Sequence, residues 1–150
     1  MRVVIAHCAS LGHALDTDKP SAPRVPAFDL FARLMDERAH ESLLLGDISA
    51  VLQINRKVDT ARTLIERDDW HPRLLHGSDY PLPGIPILTR PQRLADAGLL
   101  DAKAAPVLTT IREHNPLLFD FVLKRQLRSG RQRLGAVVFD TRRHFHTHAS

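Results

Sequence analysis

The sequence predicts an α/β fold built on a parallel sheet, and three observations carry that expectation. Short apolar runs rich in branched residues alternate with segments of helical period. The first run, "RVVIA" at residues 2–6, is apolar at successive rather than alternate positions, as in a strand covered on both faces. The order strand, helix, strand, helix, strand implies βαβ units, whose right-handed crossovers make the strands parallel.

Two prolines in "SAPRVP" break the chain after the first strand. From Phe28, "FDLFARLMDERA" sets Phe28, Phe31, Leu34 and Met35 on one helical face. "SLLLGDIS" is a second apolar run, ending at Asp47 and Ser49. "KVDTARTLIERDD" predicts a second helix, with Asp59 or Thr60 near its start and Ala61, Leu64 and Ile65 on one face. "RLLHGSD" predicts a third strand. Three helices follow, in "RPQRLADAGLL", "AKAAPVLTTIREH" and "NPLLFDFVLKRQLR". Asn115 is placed to cap the last of them, with Pro116 at its first position and Gly130 to stop it. "LGAVVFDT" predicts a closing strand. There is no internal repeat and no low-complexity segment.

At 150 residues, with 43% apolar and 25% charged side chains, the chain suits one globular domain. No run approaches the ~20 apolar residues that span a bilayer. The N-terminal "MRVVIAHCAS" reads as a strand rather than a signal sequence. The one cysteine, Cys8, permits no intrachain disulfide and suits a reducing, cytoplasmic setting. Net charge is +4, and the surplus sits in "KRQLRSGRQR" and "TRRHFHTHAS". A nucleic-acid binder would use such charge, but aromatics at 5% leave little surface for stacking bases. The expectation is a folded part over residues 1–129 and a solvated basic tail over 130–150.

In parallel α/β sheets, ligands gather at the carboxyl ends of the strands. His7 follows the first strand, Asp47 ends the second and Asp79 follows the third. The bland alternatives are a core histidine bonded to a backbone carbonyl, a strand-end turn and a loop-capping aspartate.

"VVIAHCASLG", "LLLGDISA" and "LLHGSDYPLP", in this order and spacing, resemble the amidohydrolase superfamily. The likeness is to its metal-dependent TIM-barrel hydrolases and related decarboxylases, and it covers residues 2–125. It implies a partial (β/α) TIM barrel, in which about three parallel strands match the last strands of the barrel and the C-terminal helices follow. His7 would close strand six, Asp47 strand seven and Asp79 strand eight. "NPLLFDFVLKR" looks like the helix after that last strand. By this resemblance Asp79 and His7 are catalytic and both ligate a divalent metal, zinc foremost. Asp79 would also act as general base, and Asp47, Ser78 and Tyr80 would face a small-molecule substrate.

The family's early ligands, among them an His-x-His pair on its first strand, have no counterpart before His7. The sequence therefore reads as the C-terminal portion of a barrel, begun at an internal start or in a truncated frame. It is expected to be inactive alone, or to need a complementary segment or self-association. His144, His146 and His148 alternate near the end, and a strand would put them on one face in imitation of the absent pair. A frayed tail is the simpler reading. Cys8 reads as a buried structural thiol and His76 as packing, while His13 and His40 have no partner at ligand spacing. The rival to an enzyme is a non-catalytic α/β fragment that acts through a partner chain.

Overall fold

A computed structural model of the protein describes residues 2–19, 21 and 23–145. Strand β1 (Val3–Ile5) leads through a two-stranded ribbon, β2 (His13–Ala14) and β3 (Val25–Pro26), into helix α1 (Ala27–Asp36). Strand β4 (Leu44–Asp47), helix α2 (Val58–Glu66) and strand β5 (Leu74–Leu75) complete the alternating part. Helices α3 (Pro91–Asp96), α4 (Ala104–His114) and α5 (Pro116–Gln126) follow. The chain then forms a hairpin of β6 (Arg128–Ser129) and β7 (Gln132–Arg133), and a helical turn, α6 (Arg142–Phe145).

The sheet runs β1-β4-β5 with both neighbouring pairs parallel. Val4 lies opposite Leu45, Gly46 opposite Leu74, and Asp47 opposite Leu75. The expected α/β class is therefore present as an open sheet of three parallel strands flanked by helices. All three strands point their carboxyl ends the same way, which brings the loops after them to one rim.

One face of the sheet is packed tightly. A Cβ on Gly46 would come within 2.7 Å of the Phe31 ring, 3.0 Å of Cys8 Sγ and 3.1 Å of Leu74. Only glycine lets α1 approach β4 this closely. Phe31 meets Trp70 edge to face at 6.0 Å, and the Trp70 indole donates to Asp36 at 3.1 Å. Phe119, Leu123, Leu99 and Val138 are fully buried in the same apolar core.

The edges differ. The far side of β5 is met by the segment Ala136–Phe139, whose Val138 carbonyl accepts from the His76 N–H at 2.9 Å. Among the described residues no strand pairs with the outer edge of β1. Val3 and Val4 are 41% and 43% exposed, so the first strand is an edge and not the doubly covered strand its apolar run predicts. Period alone does not report whether a neighbour is present.

Asn115 caps α5 as expected, its side chain accepting from Leu118 N at 2.9 Å. Gly130 does not stop that helix; α5 ends at Gln126 and Gly130 takes φ +57 in the β6–β7 turn. Residues 136–139 form a 3-10 turn where a strand was expected, closed by Val138 N–H on the Gly135 carbonyl at 3.1 Å. Leu134 and Val138 carry the segment after Gly130 into the core. His144 lies in the helical turn α6, not on a strand, and His146 and His148 lie outside the described residues. Among the described residues no helix is long and apolar enough to cross a membrane.

Away from the sheet, Arg33 of α1 grips Asp16 through two bonds of 2.7 and 2.9 Å. Arg33 holds the buried Asp16 carboxyl down from 3.8 to about 2.

Two outcomes follow from this packing. Gly46→Ala should destabilise the protein by about 1–3 kcal/mol, read by urea unfolding, because the new methyl forces Phe31 out of place. The Asp16–Arg33 pair contributes stability above the unfolded carboxylate value of ~3.9, and that contribution fades as pH falls through about 2. Thermal unfolding should therefore show a falling midpoint between pH 4 and pH 2 that is shallower in Arg33→Met; equal slopes would refute the assignment.

Candidate functional site

The trio His7, Asp47 and Asp79 meets at the carboxyl rim of the sheet. His7 Nε2 lies 3.9 Å from Asp79 Oδ2, and His7 Nδ1 lies 3.7 Å from Asp47 Oδ2. Residues separated by up to 72 positions converge because β1, β4 and β5 are parallel and adjacent.

The backbone at this rim is unusual. Among the described residues, the non-glycine ones with positive φ are His7 (55), Cys8 (50), Ala9 (49), Ala50 (55) and Asp79 (55), and all follow the three strands. Each such residue costs about 1–2 kcal/mol against ordinary helical geometry. Such conformations persist only where the surroundings enforce them, and they collect at functional sites. Ser10 N–H closes the left-handed turn on the His7 carbonyl at 2.9 Å. The fully buried Cys8 thiol anchors it from below, donating to the Asp47 carbonyl at 3.2 Å. Burial pushes that thiol well above its ordinary pKa, and the Asp47 charge adds to the effect. Within this turn Cys8 is buried while the adjacent His7 stays partly exposed.

Asp47 does not point freely into solvent. Its carboxylate accepts from Ser49 N at 2.9 Å, from the Ser49 hydroxyl, and from His7 N at 3.4 Å. With its hydroxyl hydrogen donated to Asp47, Ser49 Oγ can only accept from His7 Nδ1, 2.8 Å away. The Ser49 carbonyl, an acceptor only, is 3.2 Å from the same nitrogen. The network thus assigns a ring proton to Nδ1 and turns Nε2 toward Asp79. An imidazole tethered through one nitrogen with the other open is the arrangement found in metal-ligating histidines.

His7 Nε2 and Asp79 Oδ2 therefore form a two-donor set. A zinc ion ~2.0–2.2 Å from each donor would span their 3.9 Å separation, at an angle wider than tetrahedral. The two donors stand farther apart than in a tetrahedral site and would have to draw together to share an ion in that geometry. Among the described residues no group of three or more His, Cys, Asp or Glu is arranged to hold a metal.

Asp47, Ser49 and Asp79 line a cleft of about 340 Å³ with Val4, Leu75 and Phe145. Two larger depressions, about 550 Å³ beside Lys57 and about 610 Å³ beside Arg112, are lined by none of the trio. Of the other residues expected on the substrate side, Ser78 lines a small void behind the rim with Asp120 and Lys124. Tyr80 projects outward and is 65% exposed. Neither is brought to the cleft with Asp79. Gly77 is: a Cβ there would sit 2.5 Å from Asp47 Oδ1, so the missing side chain makes room for that carboxylate. His13 and His40 stay apart from the site, the latter 3.0 Å from Glu37.

Sequence reasoning missed Ser49 as the tether of His7, and it missed Lys124. Lys124 is 1% exposed, and burial pushes its pKa down while Asp120, Asp47 and Asp79 pull it back. A lysine in the apolar stripe of α5 was the available signal.

Ser49→Ala should cost about 1–3 kcal/mol in urea unfolding, since it leaves the Asp47 carboxylate and the His7 ring each short of a partner. A loss under about 0.5 kcal/mol would show the hydroxyl to be dispensable. Set against protein-family models, curated proteins and solved structures, the chain matches none of them.

Proposed function

We propose that this chain carries part of the active site of a metal-dependent hydrolase of the amidohydrolase type. Its reaction would be hydrolysis of a C–N or C–O bond in a small molecule, or a related decarboxylation. The observation that supports this most is the approach of His7 Nε2 and Asp79 Oδ2 to 3.9 Å at the carboxyl ends of parallel strands. The three adjacent strands would be the last ones of a (β/α) barrel.

In this reading His7 and Asp79 hold a divalent ion, zinc foremost. Such an ion supplies Lewis acidity to a bound carbonyl and makes water more acidic. Asp79 takes the proton of the attacking water and delivers it to the leaving group. Ser49 keeps the His7 ring in the tautomer that leaves Nε2 open, and Asp47 holds Ser49. Val4, Leu75 and Phe145 give the cleft an apolar wall against which a substrate excludes water. Zinc hydrolases usually draw about three protein ligands. The remainder would come from a complementary chain or a second copy, which the open edge of β1 can receive by strand addition. The single cysteine agrees with a cytoplasmic setting.

The absence of a three-ligand group among the described residues favours a second reading, a non-catalytic α/β fragment that acts through association. Zinc titration separates the two. The first reading expects binding by the wild type that weakens at least tenfold in Asp79→Ala and in His7→Ala, with both variants still folded by circular dichroism. Equal zinc uptake by all three proteins would leave the second reading standing.

A further inference from the structure

Lys124 lies on α5, behind the rim and outside the trio. Its ammonium donates to Asp120 Oδ2 at 2.7 Å and to the Gly77 carbonyl at 2.6 Å. The same Asp120 oxygen is 3.2 Å from His76 Nε2. Two bonds rooted in α5 thus reach His76 and Gly77, the residues that leave β5. His76 is fixed further by its N–H on the Val138 carbonyl and by ring packing against Phe121 and Phe139. Two residues beyond Gly77 the backbone enters the left-handed conformation of Asp79.

A neutral donor would satisfy one carbonyl with far less loss of hydration than an ammonium. A charge is tolerated at such depth only where opposite charges offset its burial. Asp120 does so on the same helix, and Asp47 and Asp79 do so from the ends of two strands. Those two carboxylates share one rim, where they would otherwise repel each other. The buried cation is thus placed to hold the turn and to balance the charge it presents.

We propose that Lys124 is a positioning residue of the candidate site: its ammonium fixes the Gly77 carbonyl and so sets the turn that aims Asp79 at His7. Its effect on zinc rests on the metal-dependent reading, whereas the clamp itself can be measured without metal.

The test uses Lys124→Met and Asp120→Asn in the full chain, with amide hydrogen exchange followed residue by residue and zinc titrated separately. The His76 and Leu82 amides bracket the turn, bonded to Val138 and Asp79 carbonyls. In Lys124→Met both should exchange at least tenfold faster, while Ile48 and Phe119 keep wild-type rates. Zinc affinity should fall at least tenfold. Uniform acceleration along the chain, or unchanged exchange at His76 and Leu82, would overturn the proposal. If Lys124→Met does not fold, Asp120→Asn decides. It keeps the ammonium but frees its direction, so acceleration confined to the same two amides is expected, and wild-type rates there would overturn the proposal. Failure of the wild type to bind zinc would sink the metal reading, with the exchange data still judging the lysine.

Discussion

The carboxylate of Asp47 ties the ends of three strands together. It receives the His7 backbone N–H from one side and the Ser49 hydroxyl and N–H from its own loop. Gly77, leaving the third strand, packs directly against it. The Asp47 carbonyl holds the Cys8 thiol beneath the left-handed turn. The imidazole of His7 is aimed only because Ser49 is aimed, and Ser49 is aimed by Asp47. What looks in sequence like an ordinary strand-end aspartate is the junction on which the geometry of its neighbours depends.

Much of the fold is legible in the residues. The branched runs before His7, Asp47 and His76 are strands, and the alternation with helices does make them parallel and adjacent. Asn115 and Pro116 mark the start of α5 as capping chemistry requires. The convergence of His7 with Asp79 follows from the same alternation. Other features are invisible to local pattern. The turn at His7–Ala9 uses no glycine, so nothing in its composition announces a left-handed backbone; tertiary bonds impose it. Lys124 sits in an apolar stripe that reads as core, and its meaning lies in Gly77, forty-seven positions away. The short ribbon β2–β3 and the turn at 136–139 are set by what they pack against. Val3 and Val4 look like buried strand residues because a sequence does not record which neighbours a strand has.

The two faces and two edges of the small sheet divide its labour. One face takes α1 through Gly46 and has no room to spare. The other presents Val4, Leu75 and Asp47 to an open cleft. One edge is met by the chain's own Val138, and no strand among the described residues pairs with the other, at β1. Such an edge favours strand addition. The polar trio lies at the end of this same sheet, so anything that extends β1 also approaches the cleft.

Cys8 is the chain's single thiol, fully enclosed under the turn that carries His7. Thiolate is the reactive form, and burial suppresses it. The molecule therefore contains a built-in chemical clock: an alkylating reagent can attack it only during moments when that loop lifts away. The pace of labelling in native buffer counts those openings directly, with no foreign probe introduced.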